Sequence, residues 1–435
     1  MKNILLLIFV STLLLNDYHV CARELKANVA SINITPPLEM NFTLGGYGDR
    51  MNNPAEGIHD PIKAKALVIK QEDRKFAIIT LDILGLPTNV KSDLIKRVAN
   101  YGWNMENIML LPSHSHGSLE MAALNSKNVL NIPQIGIFQP ELLSFLLEKL
   151  ENLIIDADRN YRPVKIGTKS QLVEGLNRNR RNDPEVDREL TVTRIDLLDG
   201  NPLAVLVNWT AHPTFLGEKE MLVSAEWPGY LQSGLEELIG KGATVMYYNG
   251  AEGDQSPILN EPIPPYEKIR IYGRRIALNT FELFKSIKPQ KKVSFISNYR
   301  TIPLPGHEAH PAFMKTGGKE YGLTEETAKF VMSALSPSEV GIGCVKVGDL
   351  LLVGVPGEMT ANLGLNVKNS LKSKKMHYVT IGGLANEWIS YILTREQYIK
   401  GEGYESSVSF YGPDLGKIMS DEVIKTAIPL TKLKK

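Results

Sequence analysis

The 435-residue chain reads as an α/β protein, with mixed β-sheets flanked by helices and a functional site at the C-terminal ends of strands. Three observations carry that reading. Short apolar, β-branched runs alternate with longer amphipathic ones, the pattern of strands interleaved with helices. Several strand runs are apolar almost without interruption, as strands covered on both faces require. Polar residues repeatedly come directly after such a run, where open α/β sheets bind ligands.

The first segment precedes the fold. Lys2, the apolar run from Ile4 to Leu15 and the Val20-Cys21-Ala22 ending form a secretory signal, expected over residues 1–22, with an apolar run too short to span a bilayer. The mature chain is expected to begin near Arg23 and to run as a single domain to residue 435. KALVIK (65–70), FAIITLDIL (76–84) and NIMLLP (107–112) read as strands, with a helix from Asn89 to Asn100 between the last two. A helix from Pro140 to Ile155 precedes the strands LTVTRIDLL (190–198) and LAVLVNW (203–209). A helix from Pro228 to Ile239, the strand TVMYYNG (244–250) and a long helix from Tyr266 to Ser286 follow. The segment from Asn298 to Gly322, with HEAHP and TGGKEYG, reads as an insertion or lid, and its His307 and His310 as surface histidines. A helix from Thr324 to Leu335 and the strands VGDLLLVGVPG (347–357) and HYVTIGGL (377–384) complete the series. There is no internal repeat and no linker-like stretch rich in Pro, Gly and Ser.

A net charge of +1, with Lys and Arg spread along the chain apart from the terminal KLKK, argues against a nucleic-acid partner. Outside the signal, no run approaches the ~18 apolar residues of a transmembrane helix, although peripheral contact with a membrane surface stays open. Of two cysteines, Cys21 leaves with the signal and Cys344 remains alone, so no intrachain disulfide forms in the mature chain. Export without disulfides fits a bacterial periplasm or an extracellular location. The sequons at Asn33, Asn41 and Asn208 are taken as incidental.

Four strand-end turns hold the residues with chemistry: Ser113-His114-Ser115-His116-Gly117 after NIMLLP, Thr210-Ala211-His212-Pro213-Thr214 after LAVLVNW, Ala251-Glu252-Gly253-Asp254-Gln255-Ser256-Pro257 after TVMYYNG, and Pro356-Gly357-Glu358 after LLLVGV. In a segment that stays extended, His114 and His116 point to one face, as two metal ligands or a ligand and an acid/base require. With only eight histidines in the chain, three at such ends favour a metal site; imidazole suits zinc, and Glu358 completes an N/O set with a position open for water. Ser256 beside Asp254 reads either as an activated nucleophile or as part of a tight turn. The absence of a G-x-S-x-G elbow favours the turn.

These motifs, in their order, resemble the neutral/alkaline non-lysosomal ceramidase family. ASINITPP, LGGYGDR and GIHDPIKAKALVI resemble the opening of its catalytic domain; SHSHG, LNRNR, NWTAHPT, NGAEGDQSP, VPGEMT and GLANEWISYILTREQY with GYESS and YGP resemble its later motifs. The resemblance implies one Zn2+ per chain held by His114, His212, Glu358 and Tyr391, with His116 as the catalytic histidine. It places a substrate-facing arginine at Arg178, the motif serine at Ser256 and a second active-site tyrosine at Tyr404, the last across a one-residue insertion. HGSLE stands where the family has H-S-G-P-G, which implies a different loop at the substrate entrance. The chain stops about where full-length members add a β-sandwich domain, which implies a short form.

The expected activity is zinc-dependent hydrolysis of an N-acyl bond in a lipid-like substrate, ceramide first, with His116 as general base and then acid, and Tyr404 and Arg178 orienting the substrate or stabilising its oxyanion. The rivals are a metal-dependent esterase or phosphoesterase, which takes two ions, and a non-catalytic exported lipid or glycan binder.

Overall fold

A computed structural model describes residues 24–432 apart from Lys241. The expected signal segment and the last three residues of KLKK lie outside the described residues. Eight strands form the larger sheet: β1 (Lys26–Asn33), β2 (Lys63–Gln71), β3 (Arg74–Leu81), β4 (Ile108–Pro112), β5 (Arg162–Leu172), β6 (Glu189–Leu197), β7 (Pro202–Trp209) and β8 (Thr244–Asn249). Their spatial order is β8-β7-β6-β5-β1-β2-β3-β4. The two outermost pairs, β7 with β8 and β3 with β4, are parallel, and every pairing between them is antiparallel. A second, four-stranded sheet is built from β9 (Phe295–Pro303), β10 (Glu339–Val347), β11 (Leu350–Gly354) and β12 (Tyr378–Gly382) in that order, with β11 and β12 parallel.

The unbroken hydrophobicity of the strands follows from four layers: helix, sheet, sheet, helix. Along β2, Leu67 and Ile69 face the second sheet, where they share a cluster with Val345, Leu350 and Leu352. The alternate residues Ala66 and Val68 face outward onto helices α1 (Thr88–Val98) and α2 (Pro140–Ala157). Helices α3 (Glu226–Ile239) and α4 (Pro265–Ser286) cover the outer face at the other edge, against Val205, Val207 and Val245. The outer face of the second sheet is covered by α5 (Glu325–Leu335), α6 (Ala361–Lys372) and α7 (Leu415–Thr431). A strand with helices on one face and a sheet on the other has no wet side, so period-two alternation disappears from its sequence.

Boundaries follow local chemistry. Proline at the first position starts α2 and α4, where its missing N–H would have no partner in any case. Thr324 and Thr327 form a reciprocal capping box ahead of α5. Helix α3 starts two residues before the expected Pro228, which the first turn accommodates for the same reason. Two long helices, besides three of six residues or fewer, escaped the sequence reading. Helix α6 carries Gly364 and three asparagines among its twelve residues, and α7 contains Pro429, so both have poor local propensity and stand on tertiary packing. The expected insertion from Asn298 is likewise partly regular, since its first residues complete β9 on the edge of the second sheet.

Candidate active site

The parallel pairs β3/β4, β7/β8 and β11/β12 deliver the four polar turns at their ends to one place. After β4, His114 adopts a left-handed backbone, φ 71°, so the His-x-His pair is not extended as the sequence suggested. A non-glycine residue in that region costs of order 1–3 kcal/mol, which the surrounding structure has to offset. The reversal still brings the two rings together at right angles, with His116 Nε2 3.4 Å from His114 Nε2. His212, after β7, closes the group: ligand atoms of the three histidines lie within 4.8 Å of one another. Glu358, after β11, points Oε2 at His212 Nε2, 3.1 Å away, and at His114 Nε2, 3.4 Å away.

The remaining atoms of these side chains are committed elsewhere. His114 Nδ1 donates to the Leu84 carbonyl at 2.7 Å and His212 Nδ1 to the Gln255 carbonyl at 3.2 Å, which leaves both Nε2 lone pairs facing inward. Glu358 Oε1 accepts the indole N–H of Trp388 at 2.8 Å. Burial, reinforced by Arg180, pushes the His212 imidazole down to about 4, and burial beside the other two histidines holds His116 well below its usual range. Burial acts against ionisation of Glu358, but His114 and His212 keep its carboxyl well below the usual range. A neutral imidazole at His212 beside an ionised Glu358 is the combination a cation needs from such ligands.

The donor set fits a metal ion. Separations of 3.1 and 3.4 Å between donors match the ~3.3 Å edge of a tetrahedron with bonds of about 2.0 Å. His114 and His212 show the orienting Nδ1 hydrogen bond usual in ligating histidines, whereas His116 Nδ1 is buried with no hydrogen-bond partner among the described residues. His116 is also the most accessible of the three, at 9% against 4% and 0%. All three ring groups are close enough to share a metal ion; His116 differs from the other two in its free Nδ1 and slightly greater exposure.

Tyr391 and Tyr404 both reach this region. Tyr391 pairs with Glu358 across a short parallel bridge, and its hydroxyl accepts from Arg180 Nη2 at 3.0 Å. Burial, then the neighbouring Glu358, raises the phenol well above its usual range; Arg180 acts the other way, as a cation beside a tyrosinate ligand would. The ring of Tyr404 stands edge-on to Tyr391 at 6.0 Å, and its hydroxyl is 2.9 Å from that of Tyr321. Tyr321 ends the expected lid segment, whose Glu320 accepts the Gly48 N–H at 3.3 Å. The two histidines of that segment stay outside the cluster. His310 is buried rather than on the surface, with Nε2 3.0 Å from the Tyr398 carbonyl. His307 packs on Tyr411.

Two expected site residues lie elsewhere. Arg178 sits mid-strand in Asn177–Asn179, whose flanking asparagines face inward, so its side chain is turned out to solvent. Arg180, past the strand end, enters the site instead: it donates to Tyr391, to the Gly253 carbonyl at 3.0 Å and to Glu405 at 2.5 Å. Ser256 is paired with Arg178 in the two-stranded ladder and shares no hydrogen bond with the histidines or Glu358 among the described residues. Asp254 braces the turn, accepting from Asn179, Gln255 and the first N–H of α6 at 2.8, 2.8 and 2.9 Å.

The sequence reading also passed over three residues. Asn249 donates to the carbonyls of Ser113 and Ala211 at 3.2 and 2.9 Å, tying the His114 turn to the His212 turn. Trp388 holds Glu358, as described. Glu252 is fully buried with neither carboxylate oxygen hydrogen-bonded among the described residues, and burial next to Glu358 raises it well above its usual range. The available signal was a charged residue among small ones at a strand end.

The fold and the site together define a class: an α/β protein whose parallel strand ends converge on a buried His-His-Glu donor set suited to one metal ion. A profile of the neutral/alkaline non-lysosomal ceramidase N-terminal region matches residues 27–263 and 319–419, and the chain belongs to that family. It is a hydrolase acting on an amide bond. The neutral ceramidase of Drosophila melanogaster is 23% identical over 91% of this chain and 73% of its own, and neutral ceramidase B of Dictyostelium discoideum 22% identical over 98% and 79%. The crystal structure of neutral ceramidase from Pseudomonas aeruginosa superposes with a TM-score of 0.79 at 19% identity, covering 94% of this chain and 75% of that one. At that identity it attests the fold.

Proposed function

We propose that this chain hydrolyses the N-acyl bond of ceramide-like sphingolipids, releasing a fatty acid and a sphingoid amine, with one Zn2+ held by His114, His212, Glu358 and Tyr391. The observation that carries the reading is the meeting of two Nε2 lone pairs and one Glu358 oxygen at tetrahedral spacing, with the other ring nitrogens already bonded to carbonyls. Held by these four side chains, zinc would supply Lewis-acid polarisation of the acyl carbonyl and a more acidic water near neutrality. His116, held neutral by burial and the least enclosed of the three histidines, takes the proton of the attacking water and returns it to the leaving nitrogen. Tyr404 supplies a hydroxyl beside the reacting carbonyl. Arg180 enters the site where Arg178 was expected, but in a supporting role, holding Tyr391 and the Gly253 carbonyl in place. Ser256 is assigned to the turn and Asp254 to its bracing.

The fold is shared with a ceramidase complexed with C2, at a TM-score of 0.79, which supports a ceramide-like probe. Residues 23–435 are proposed as one catalytic unit, exported by the signal in residues 1–22 to the periplasm or the medium and working at a lipid surface. N-terminal sequencing of the exported chain checks the cleavage site. No helix among the described residues is long and apolar enough to cross a membrane.

The test is turnover of a fluorogenic N-acyl-sphingosine by purified residues 23–435, with metal content read on the same sample. Turnover with about one zinc per chain, both lost in His114→Ala, is the expected result. Full zinc and full turnover in His114→Ala would overturn the site. Two ions per chain with phosphoester turnover would overturn the chemistry.

A further inference from the structure

The histidine assigned to proton transfer lacks what normally orients such a residue. In His114 and His212 a hydrogen bond from Nδ1 to a backbone carbonyl sets the ring. His116 Nδ1 has no partner among the described residues. What surrounds it is the turn Leu44–Arg50. Gly46, at φ +94°, passes so close that a Cβ there would lie 2.2 Å from His116 Nδ1. The ring of Tyr47 packs at 5.1 Å from the His116 ring, and the Tyr47 hydroxyl donates to the Leu216 carbonyl at 3.0 Å. These contacts confine the ring, but they do so only while the turn stays in place.

One side chain ties the turn, the histidine and the loop after His212 together. Arg50, only 3% exposed, donates Nη1 to the carbonyls of Gly45 at 2.5 Å and His116 at 2.6 Å, and Nη2 to those of Gly217 at 2.9 Å and Glu220 at 3.2 Å. Its guanidinium also lies 4.9 Å from the Tyr47 ring centre. A planar, permanently charged fork reaches four carbonyls from three chain segments at once; an ammonium group presents three donors from a single nitrogen and does not span them.

We propose that Arg50 is a positioning residue for His116: it clamps the His116 backbone to the Leu44–Arg50 turn and the Gly217–Glu220 loop, and so aims a ring whose Nδ1 has no orienting bond. The inference rests on His116 being the acid/base of the proposed hydrolysis. A misplacement of about 1 Å at such a group lowers the rate up to ~100-fold without weakening substrate binding.

The test uses Arg50→Lys and Arg50→Met in zinc-loaded residues 23–435, with three readings. In R50K, kcat falls about 10- to 100-fold while KM and zinc content stay near wild type. In protein labelled with 15N at histidine, the ring signals of His116, assigned by their loss in His116→Gln, broaden or double in R50K, and those of His114 and His212 do not move. R50M, with all four bonds gone, shows larger effects of the same kind; if it does not fold, R50K alone decides. Unchanged kcat and unchanged His116 signals at a lowered melting temperature would make Arg50 a structural staple and overturn the proposal, as would activity lost in step with zinc. The ring spectra need no substrate. If wild-type protein turns over no N-acyl compound, the hydrolase reading fails by itself, and the spectra still decide whether Arg50 orients the ring.

Discussion

At the residue scale, the site works by committing one end of each side chain so that the other is free. His114 and His212 spend Nδ1 on carbonyls and Glu358 spends Oε1 on Trp388, and what remains of each faces a single point. His116 is the exception. Replacing it with alanine is therefore expected to leave zinc bound and to lower kcat by about 10²–10⁴, read by metal analysis beside turnover; loss of the metal would place His116 among the ligands. The two arginines are separated as cleanly. Arg180→Ala should lower kcat/KM strongly, because Tyr391 loses its donor and Glu405 keeps only Arg181, while Arg178→Ala, at an exposed position, should stay within about twofold. Equal losses in the two variants would contradict the geometry.

At the scale of elements, the catalytic turns are held to one another by side chains rather than by the sheets. Asn249 spans the turns that carry His114 and His212. Asn249→Ala leaves buried carbonyls unpaired and is expected to cost about 1–3 kcal/mol of stability per abandoned group, measurable by denaturant unfolding, with zinc affinity reduced alongside. A variant as stable as wild type would mean that the two turns are fixed by other contacts. Asp254 acts in the same way between elements. Its carboxylate receives the first N–H of α6, so the glutamate turn and the serine turn share one brace.

At the scale of the whole molecule, the two halves are joined by a buried ion cluster at the back of the site. Lys368 of α6, 1% exposed, lies 3.0 Å from Asp187 and 2.8 Å from Glu189, which begins β6 of the other sheet. Asp187 in turn accepts from the Thr210 hydroxyl in the His212 turn. Lys368→Met strands buried carboxylates and should destabilise by about 3–5 kcal/mol. The pH dependence has two arms. Burial opposes ionisation of Glu189, but Lys368 and Lys372 draw it down to about 2, so its contribution is complete above its unfolded value and fades as pH falls toward 2. Glu226 behaves oppositely: burial lifts it to about 8, so the folded state holds a proton the unfolded state has released, and stability falls as pH rises toward 8. Glu226→Gln should flatten that alkaline arm, as read by thermal melts between pH 5 and about 8; an unchanged slope would mean that other groups produce it.

How much of this was legible in advance follows from what a sequence reports. Apolar runs register burial, and burial on both faces is what the strands of a layered α/β fold require, so eight strands and five helices could be read locally, while β1, β5, β9 and β10 were not. Their polar ends showed where chemistry gathers, and His114, His116, His212 and Glu358 were legible for that reason. The choice between Arg178 and Arg180 depends on where a three-residue strand stops, and a shift of two residues leaves no trace in periodicity. The left-handed turn at His114, the bridge through Asn249 and the support of Glu358 by Trp388 join segments far apart in the chain. The sequence by itself determined the layers and the side of the sheets on which the site lies, because burial and turn chemistry are local. Only the tertiary structure decided which polar groups meet there, because hydrogen bonds between distant turns depend on how whole sheets are stacked.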